Sequence, residues 1–406
     1  MYLTLSLFFL NIQSFAPIVS IKGLVLTNLF LYTQVFYDAL FKRKMLKAVA
    51  YYFFHFFVVF IFWQTIVQLG YVVHGSLPIE LTFISNDNSM LMKSSLLTQS
   101  LYLLSSVLFF VYLYVALKNK LFSAEKMNGL IKIGVVFYVF YGFYEWLLYL
   151  LMGINGDFLS NRITGEDNII GLFQYISLGG LDLMRLKSLA GEPSMLAYTL
   201  VPFFIYYYYL KDRFWIFILV ALLLSTSSTA FLGIFIFLLF DLIFIRKALG
   251  FLLAGFLAFS AFYIAYYDVI NDLLMINATK LAMEDQSGGE RSEYFFNHFN
   301  AWLDSNFLHV LLGHGWGYVR STDLLSTLLY NTGLVGFLFI TLFFFYPAYN
   351  VFSTSAEHYA LSSILVNIYI MAMVSVSEPY YFHVWYFLAL AYFYVLTGGK
   401  HDCCKC

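Results

Sequence analysis

The chain has 406 residues, of which 62% are hydrophobic, 21% aromatic and only 11% charged. Soluble domains carry about 25% charged residues, so this content, with a mean hydropathy of +0.79, excludes an ordinary water-soluble enzyme. The net charge of −1, with basic residues in short scattered groups, leaves no electrostatic footprint for nucleic acid, and unbroken apolar runs such as 101–117 exclude an outer-membrane barrel, whose strands alternate.

In chain order, apolar runs predict spans at about 2–21, 23–41, 48–69, 96–117, 133–152, 194–210, 214–226, 228–245, 248–267, 323–346, 359–377 and 381–397. A bilayer is crossed by about 20 helical residues, so the expectation is an all-α, polytopic membrane protein of about twelve transmembrane helices. The first run is interrupted by Asn11, Gln13 and Ser14. The seventh is short, and Ser225-Thr226-Ser227-Ser228-Thr229 joins it to the eighth as a tight polar hairpin.

Basic residues flanking short loops stay cytoplasmic. Lys42, Arg43, Lys44 and Lys47 mark one such flank, followed by Lys118, Lys120, Lys126 and Lys132, by Lys211 with Arg213, by Arg246 with Lys247, and by Lys400 with Lys405. Both termini are therefore expected inside, including the tail 398–406, and two long loops, 153–193 and 268–322, outside. The first 20 residues lack a basic n-region and a small-residue cleavage site, so the first spans are expected to serve as an uncleaved anchor. Cys403, Cys404 and Cys406 all sit at the end of the chain, so no disulfide framework braces the outer loops. In those loops acidic residues outnumber basic ones, and each outward arginine, Arg185, Arg291 and Arg320 among them, needs a reason.

Three stretches of the outer loops carry chemistry. Arg185 and Lys187 precede Gly191-Glu192-Pro193-Ser194, where Pro193 suits the first turn of a helix whose free N–H groups attract an anion such as phosphate. Ser287-Gly288-Gly289-Glu290-Arg291 leads into Phe295, His298 and Trp302, whose spacing from Arg291 aligns all four on one helical face. That face offers a cation, an imidazole and aromatic rings, which either stack on sugars or anchor an interfacial helix. Gly313-His314-Gly315-Trp316-Gly317 predicts a tight irregular segment, followed by Thr322 or Asp323 as the cap of the next span. Glu145 lies within the fifth span, where a carboxylate is either functional or held by a structural partner. Glu378-Pro379 stands at the outer start of the last span and is expected to line the same outer cavity. No spaced pair of metal ligands occurs in the outer loops, so no metal or other cofactor is indicated.

The order of these pieces resembles the O-antigen polymerase (Wzy-type) and O-antigen ligase superfamily. The resemblance rests on Arg185 ahead of Gly-Glu-Pro-Ser, the Ser/Thr hairpin, Ser-Gly-Gly-Glu-Arg, Gly-His-Gly-Trp-Gly and Leu329-Tyr330-Asn331-Thr332-Gly333-Leu334-Val335-Gly336. It covers about 180–340 in motif detail and the whole chain in topology. The resemblance implies a glycosyltransferase-C-like bundle with large periplasmic loops in the bacterial inner membrane. It implies metal-independent transfer of a glycan from undecaprenyl diphosphate, with a chain-length regulator and a flippase as working partners. Polymerases extend a lipid-linked repeat unit, and ligases load lipid A-core. Ligases carry a His-Asn pair where this chain has Thr322-Asp323, so the polymerase is expected; His314, eight residues earlier, keeps the ligase as the alternative.

On this reading Arg185 and Arg291 neutralise the departing diphosphate, with Lys187 and the sixth helix assisting. Glu192, His314 and Asp323 are the candidates for the base. Lys187, Ser194, Glu290, His298 and Trp302 are expected to bind substrate. A lipid-linked oligosaccharide flippase is the alternative from another class, but transporters of that kind often show related halves, and the chain has no internal repeat.

Overall fold

The computed structural model describes residues 2–9, 12, 14–15, 21–73, 93–153, 156, 159, 175–178, 181–244, 286–352 and 355–397. The expected ninth span, most of the loop 153–193, the first part of the loop 268–322 and the tail 398–406 lie outside the described residues. Helices dominate the rest. They are α1 (Tyr2–Phe9), α2 (Gly23–Phe41), α3 (Arg43–Val73), α4 (Ser94–Lys118), α5 (Ala124–Met152), α6 (Pro193–Tyr209), α7 (Trp215–Leu224), α8 (Ser228–Phe244), α9 (Gln286–Leu303), α10 (Phe307–Leu312), α11 (Leu324–Val351), α12 (Ala356–Ser375) and α13 (Phe382–Thr397).

Five of these are long and apolar enough to cross a membrane: 43–70, 94–118, 124–152, 324–351 and 356–375, with hydropathies of 1.4 to 2.0. α7, α8 and α13 are shorter apolar helices. Large apolar side chains such as Phe54, Val59, Phe62 and Leu342 are exposed, a surface that water disfavours and lipid accepts. The chain is thus a helical membrane protein.

The first expected span is corrected by the structure. α1 ends at Phe9, and Ser14–Phe15 (β1) pairs antiparallel with Ile21–Lys22 (β2), which leads directly into α2. An apolar run long enough to span is therefore not one helix. A second two-stranded hairpin, Tyr175–Leu178 (β3) with Leu181–Met184 (β4), stands in the loop 153–193, with Gly179-Gly180 between its strands in the sequence as its signal. The stretch before α11 also folds into helices, α9 and α10.

The chain divides into two compact units. One comprises Met1–Asn11, Gly23–Gly134 and Tyr294–Cys406, the other Ile12–Lys22 and Val135–Glu293. In the first, α4 packs on α13 through Phe109 against Phe382, with ring centroids 4.7 Å apart, while Phe110 meets Phe343 of α11 and Tyr392 of α13. A polar clamp fixes α2: Asp38 accepts from the Tyr112 hydroxyl and pairs with Lys42 at 3.2 Å. In the second unit α6 is the centre. Phe204 meets Trp215 of α7 and Phe237 of α8 at 6.1 and 5.3 Å, and the Tyr209 hydroxyl donates to Asp241 at 2.8 Å.

Candidate functional site

In the second unit, the segment between β4 and α6 is pinned on α5. The Trp146 indole donates to the Met184 carbonyl at 2.9 Å, and the Ser188 hydroxyl to that of Tyr138 at 2.6 Å. Gly142 makes the approach possible, because a Cβ there would meet Leu186 and Ser188 at 2.9 and 3.0 Å. Lys187 and Glu145 form an ion pair at 2.9 Å with both side chains buried. Lys187, expected to bind substrate, is therefore spent on the one carboxylate inside the fifth span, which takes the structural alternative that the sequence left open. A short 3₁₀ turn, Ser188–Ala190, and Gly191 in the left-handed region then deliver the chain to α6, whose first residue is Pro193, as its helix-start chemistry predicts.

Arg185 is held by the turn between α7 and α8. Its Nε donates to the Ser225 carbonyl at 3.2 Å and to the Thr226 hydroxyl at 3.1 Å, and its Nη2 to the Thr226 carbonyl at 3.2 Å. Thr226 has φ +44°, a left-handed conformation costly for a β-branched residue. The polar hairpin read from the sequence is thus a strained cradle for a guanidinium. Burial, then the positive charge of Arg291, disfavour the charged form of Arg185 and lower its pKa from its ordinary value. An anion beside Arg185 would be attracted by both charges. Glu192, at the head of α6, and Ser194, in its first turn, are half-buried. The Glu192 carbonyl accepts from Leu196 N–H at 3.0 Å. Arg291 is exposed in the first half of α9, and the side chain of Glu290 lies outside the described residues.

In the first unit the glycine-rich segment docks on a kink in α11. Gly333 has φ +64° and ψ −171° inside that helix, which frees the carbonyls of Tyr330 and Asn331 to accept from His314 and Gly315 N–H, both at 2.9 Å. The backbones meet so closely that a Cβ on Gly313 would overlap Asn331, and one on Gly333 would overlap Leu311. The Asn331 amide pairs with the Val319 backbone in both directions at 2.9 and 3.0 Å. From α3, Trp63 donates to the Leu312 carbonyl, and Gln64 accepts from Trp316 N–H.

His314 lies between the rings of His309 and Tyr330, 4.3 and 4.2 Å away. Ser305 spends its hydroxyl proton on the Ala301 carbonyl, so it accepts from His314 Nε2 at 2.8 Å. Burial, then the charge of His309, hold His314 well below its ordinary 6.5, and the ring is neutral. His298 donates from Nδ1 to the Tyr294 carbonyl at 2.6 Å. Its Nε2 is buried with no hydrogen-bond partner among the described residues. Burial lowers its pKa, against opposing contributions from that hydrogen bond and from Asp323.

Of the two expected caps, Asp323 rather than Thr322 caps α11, accepting from Ser326 N–H at 2.7 Å and from the hydroxyls of Ser321 and Ser326 at 2.9 and 2.7 Å. Trp302 donates to the Val310 carbonyl and packs in a core with Leu96, Tyr318, Val319, Leu329 and Tyr330. Of the expected site residues, the structure brings Arg185 and Arg291 within each other's field and spends Lys187, Trp302, His314 and Asp323 on internal partners. Glu192 and Ser194 stand at the helix head, beyond the segment that carries Arg185. Sequence reasoning missed the cradle at Ser225 and Thr226, whose only signal was the run of hydroxyl residues. Among the described residues, no three His, Cys, Asp or Glu side chains are grouped to hold a metal ion. No family model, curated protein or solved structure matches the chain.

Proposed function

We propose that this membrane protein is a polysaccharide polymerase. It transfers a growing glycan from undecaprenyl diphosphate to the non-reducing end of a lipid-linked repeat unit, for O-antigen, capsule or exopolysaccharide. The reading includes about twelve spans in a glycosyltransferase-C-like bundle and a site on the periplasmic face of the bacterial inner membrane. The observation that carries it is Arg185, a guanidinium fixed by the Ser225–Thr226 turn just ahead of α6 and acted on by the charge of Arg291, on stretches that the positive-inside bias would leave without cations.

The chemistry follows from that charge. An acceptor hydroxyl oxygen attacks the anomeric carbon, the bond from that carbon to the diphosphate oxygen breaks, and the electron pair leaves on the diphosphate. Stabilisation acts most strongly where charge develops, and two planar guanidiniums can each hold two phosphate oxygens. The cradle fixes Arg185 before substrate arrives, so little reorganisation opposes the reaction. Glu192 takes the acceptor proton in this scheme, because His314 and Asp323 are engaged in internal hydrogen bonds.

Arg185→Ala and Arg291→Ala should each reduce chain elongation by about 10²-fold or more, with normal amounts of protein in the membrane. The glycan profile of a deletion strain complemented with each variant is the measurement. Long chains of normal distribution in either variant would overturn the assignment.

A further inference from the structure

Arg320 pairs with Glu378 at 2.6 Å, so that arginine has a partner of its own. The groups without a use nearby are apolar. Phe296 and Leu303 of α9 are 52% and 51% exposed, and Phe307, which opens α10, is 78% exposed. At about 3.6 residues per turn, the second half of α9 divides into three sectors. His298 and Trp302 form the buried one. Phe295, Phe299, Leu303 and Phe296 follow on one side of it, and Asn300 and Asn297 come next, facing away from the core. Trp302, a ring that the sequence offered as an anchor, is spent on the core, and its exposed apolar neighbours need another environment.

The depth of that sector follows from α3. Arg43, Lys44 and Lys47 are exposed at its start, and charged side chains on a lipid-facing helix stay at the headgroups. The span from Arg43 to Gly70 has 28 residues, about 40 Å of helix, which matches a bilayer with both of its headgroup layers. Gly70 therefore lies at the headgroups of the opposite leaflet. α10 packs on α3 there: a Cβ on Gly70 would meet Leu308 and His309 at 2.9 and 3.1 Å, and the Trp63 indole donates to the Leu312 carbonyl at 2.9 Å. Trp302 donates to the Val310 carbonyl at 3.0 Å, which ties the end of α9 to the same level. Leu69, next to Gly70, is exposed, so the apolar surface that α3 turns to lipid reaches the level of α10.

We propose that α9 and α10 form an interfacial anchor, with Phe296, Leu303 and Phe307 inserted among the phospholipids of the leaflet opposite the basic cluster at 43–47, and with Asn297 and Asn300 turned to water. A helix that carries apolar and polar sectors side by side, at the depth of the headgroups, lies in the interface rather than across it, and indoles such as that of Trp63 are favoured at that level. Lipid is the occupant because the apolar sector stands at the depth where the lipid-facing surface of α3 ends, with polar side chains directly beside it. The anchor holds the glycine-rich segment, whose Trp316 N–H donates to Gln64 of α3, at headgroup depth. This placement needs only a membrane protein and stands apart from the transferase reading.

The test uses the full-length protein with its three cysteines changed to serine and one new cysteine, F296C, L303C or F307C, carrying an environment-sensitive fluorophore. Each is reconstituted in vesicles of phosphatidylethanolamine and phosphatidylglycerol. Quenching is read from lipids with a nitroxide near the headgroup, from lipids with a nitroxide near the end of the acyl chain, and from iodide in the water. All three positions are exposed, so the labelled proteins should unfold at the parent's temperature, and three sites keep the test open if one variant fails to fold. Each label should lose more fluorescence to the shallow nitroxide than to the deep one, and little to iodide. V59C, exposed near the middle of α3, should lose most to the deep nitroxide, and N300C most to iodide. Quenching of the three labels by iodide and not by lipid would show that this face meets water and would overturn the anchor. Protection of the three from every quencher, with F307C forming disulfides between copies, would assign the face to a second copy and overturn it equally.

Discussion

Lys187 and Glu145 show how one residue's partner decides its meaning. From the sequence, Lys187 is a cation next to a helix start, and Glu145 is a carboxylate inside an apolar span. The fold brings them to 2.9 Å with 2% and 0% of their side chains exposed. Removing one member of such a pair leaves an uncompensated buried charge and costs about 3–5 kcal/mol, whereas replacing both with apolar side chains is often neutral. Lys187→Met alone should therefore lower the unfolding temperature of the detergent-purified protein sharply, and K187M/E145L should recover most of the loss. A single variant as stable as the wild type would show that the pair contributes nothing. Neither partner could be assigned from sequence alone, because the contact joins residues 42 positions apart through the packing of an irregular segment on α5.

At the scale of elements, helix ends were legible and backbone docking was not. Pro193 at the start of α6 and Asp323 at the cap of α11 follow from local rules, since a missing N–H and a short acceptor side chain act on their own turn. The glycines near 313 and 333 announced only irregularity. Their use, as a face-to-face contact that lets α11 kink and offer two carbonyls, depends on segments 20 residues apart. A Cβ at Gly333 would have to adopt φ +64° and would also overlap the Leu311 carbonyl. That conformation, essentially restricted to glycine, alone costs about 1–3 kcal/mol, and the overlap adds to it. Gly333→Ala should destabilise the protein by more than that amount in thermal unfolding. Gly129→Ala in α5 is the matched control. Nothing lies within 4 Å of its added Cβ, so the helix preference for alanine should leave stability unchanged or raised by up to about 1 kcal/mol. Equal effects at the two positions would refute the docking contact.

For the whole molecule, the decisive property is which side of the bilayer each cluster faces. Charge distribution alone argues this: Lys118, Lys120, Lys126 and Lys132 lie in or flank the turn between α4 and α5, and basic residues that flank short loops stay in the cytoplasm. In the twelve-span reading, which counts the expected ninth span, that turn lies inside and the stretch holding Arg291, His298 and Arg320 outside, where lipid-linked glycans would meet it. Exposed Asn119 and Asn300 report the two sides. With Cys403, Cys404 and Cys406 changed to serine, Asn300→Cys should react with a membrane-impermeant maleimide in intact spheroplasts. Asn119→Cys should react only after permeabilisation. The reverse pattern would put Arg185 and Arg291 on the cytoplasmic side, where the positive-inside rule already accounts for cations, and would remove the observation on which the polymerase reading stands.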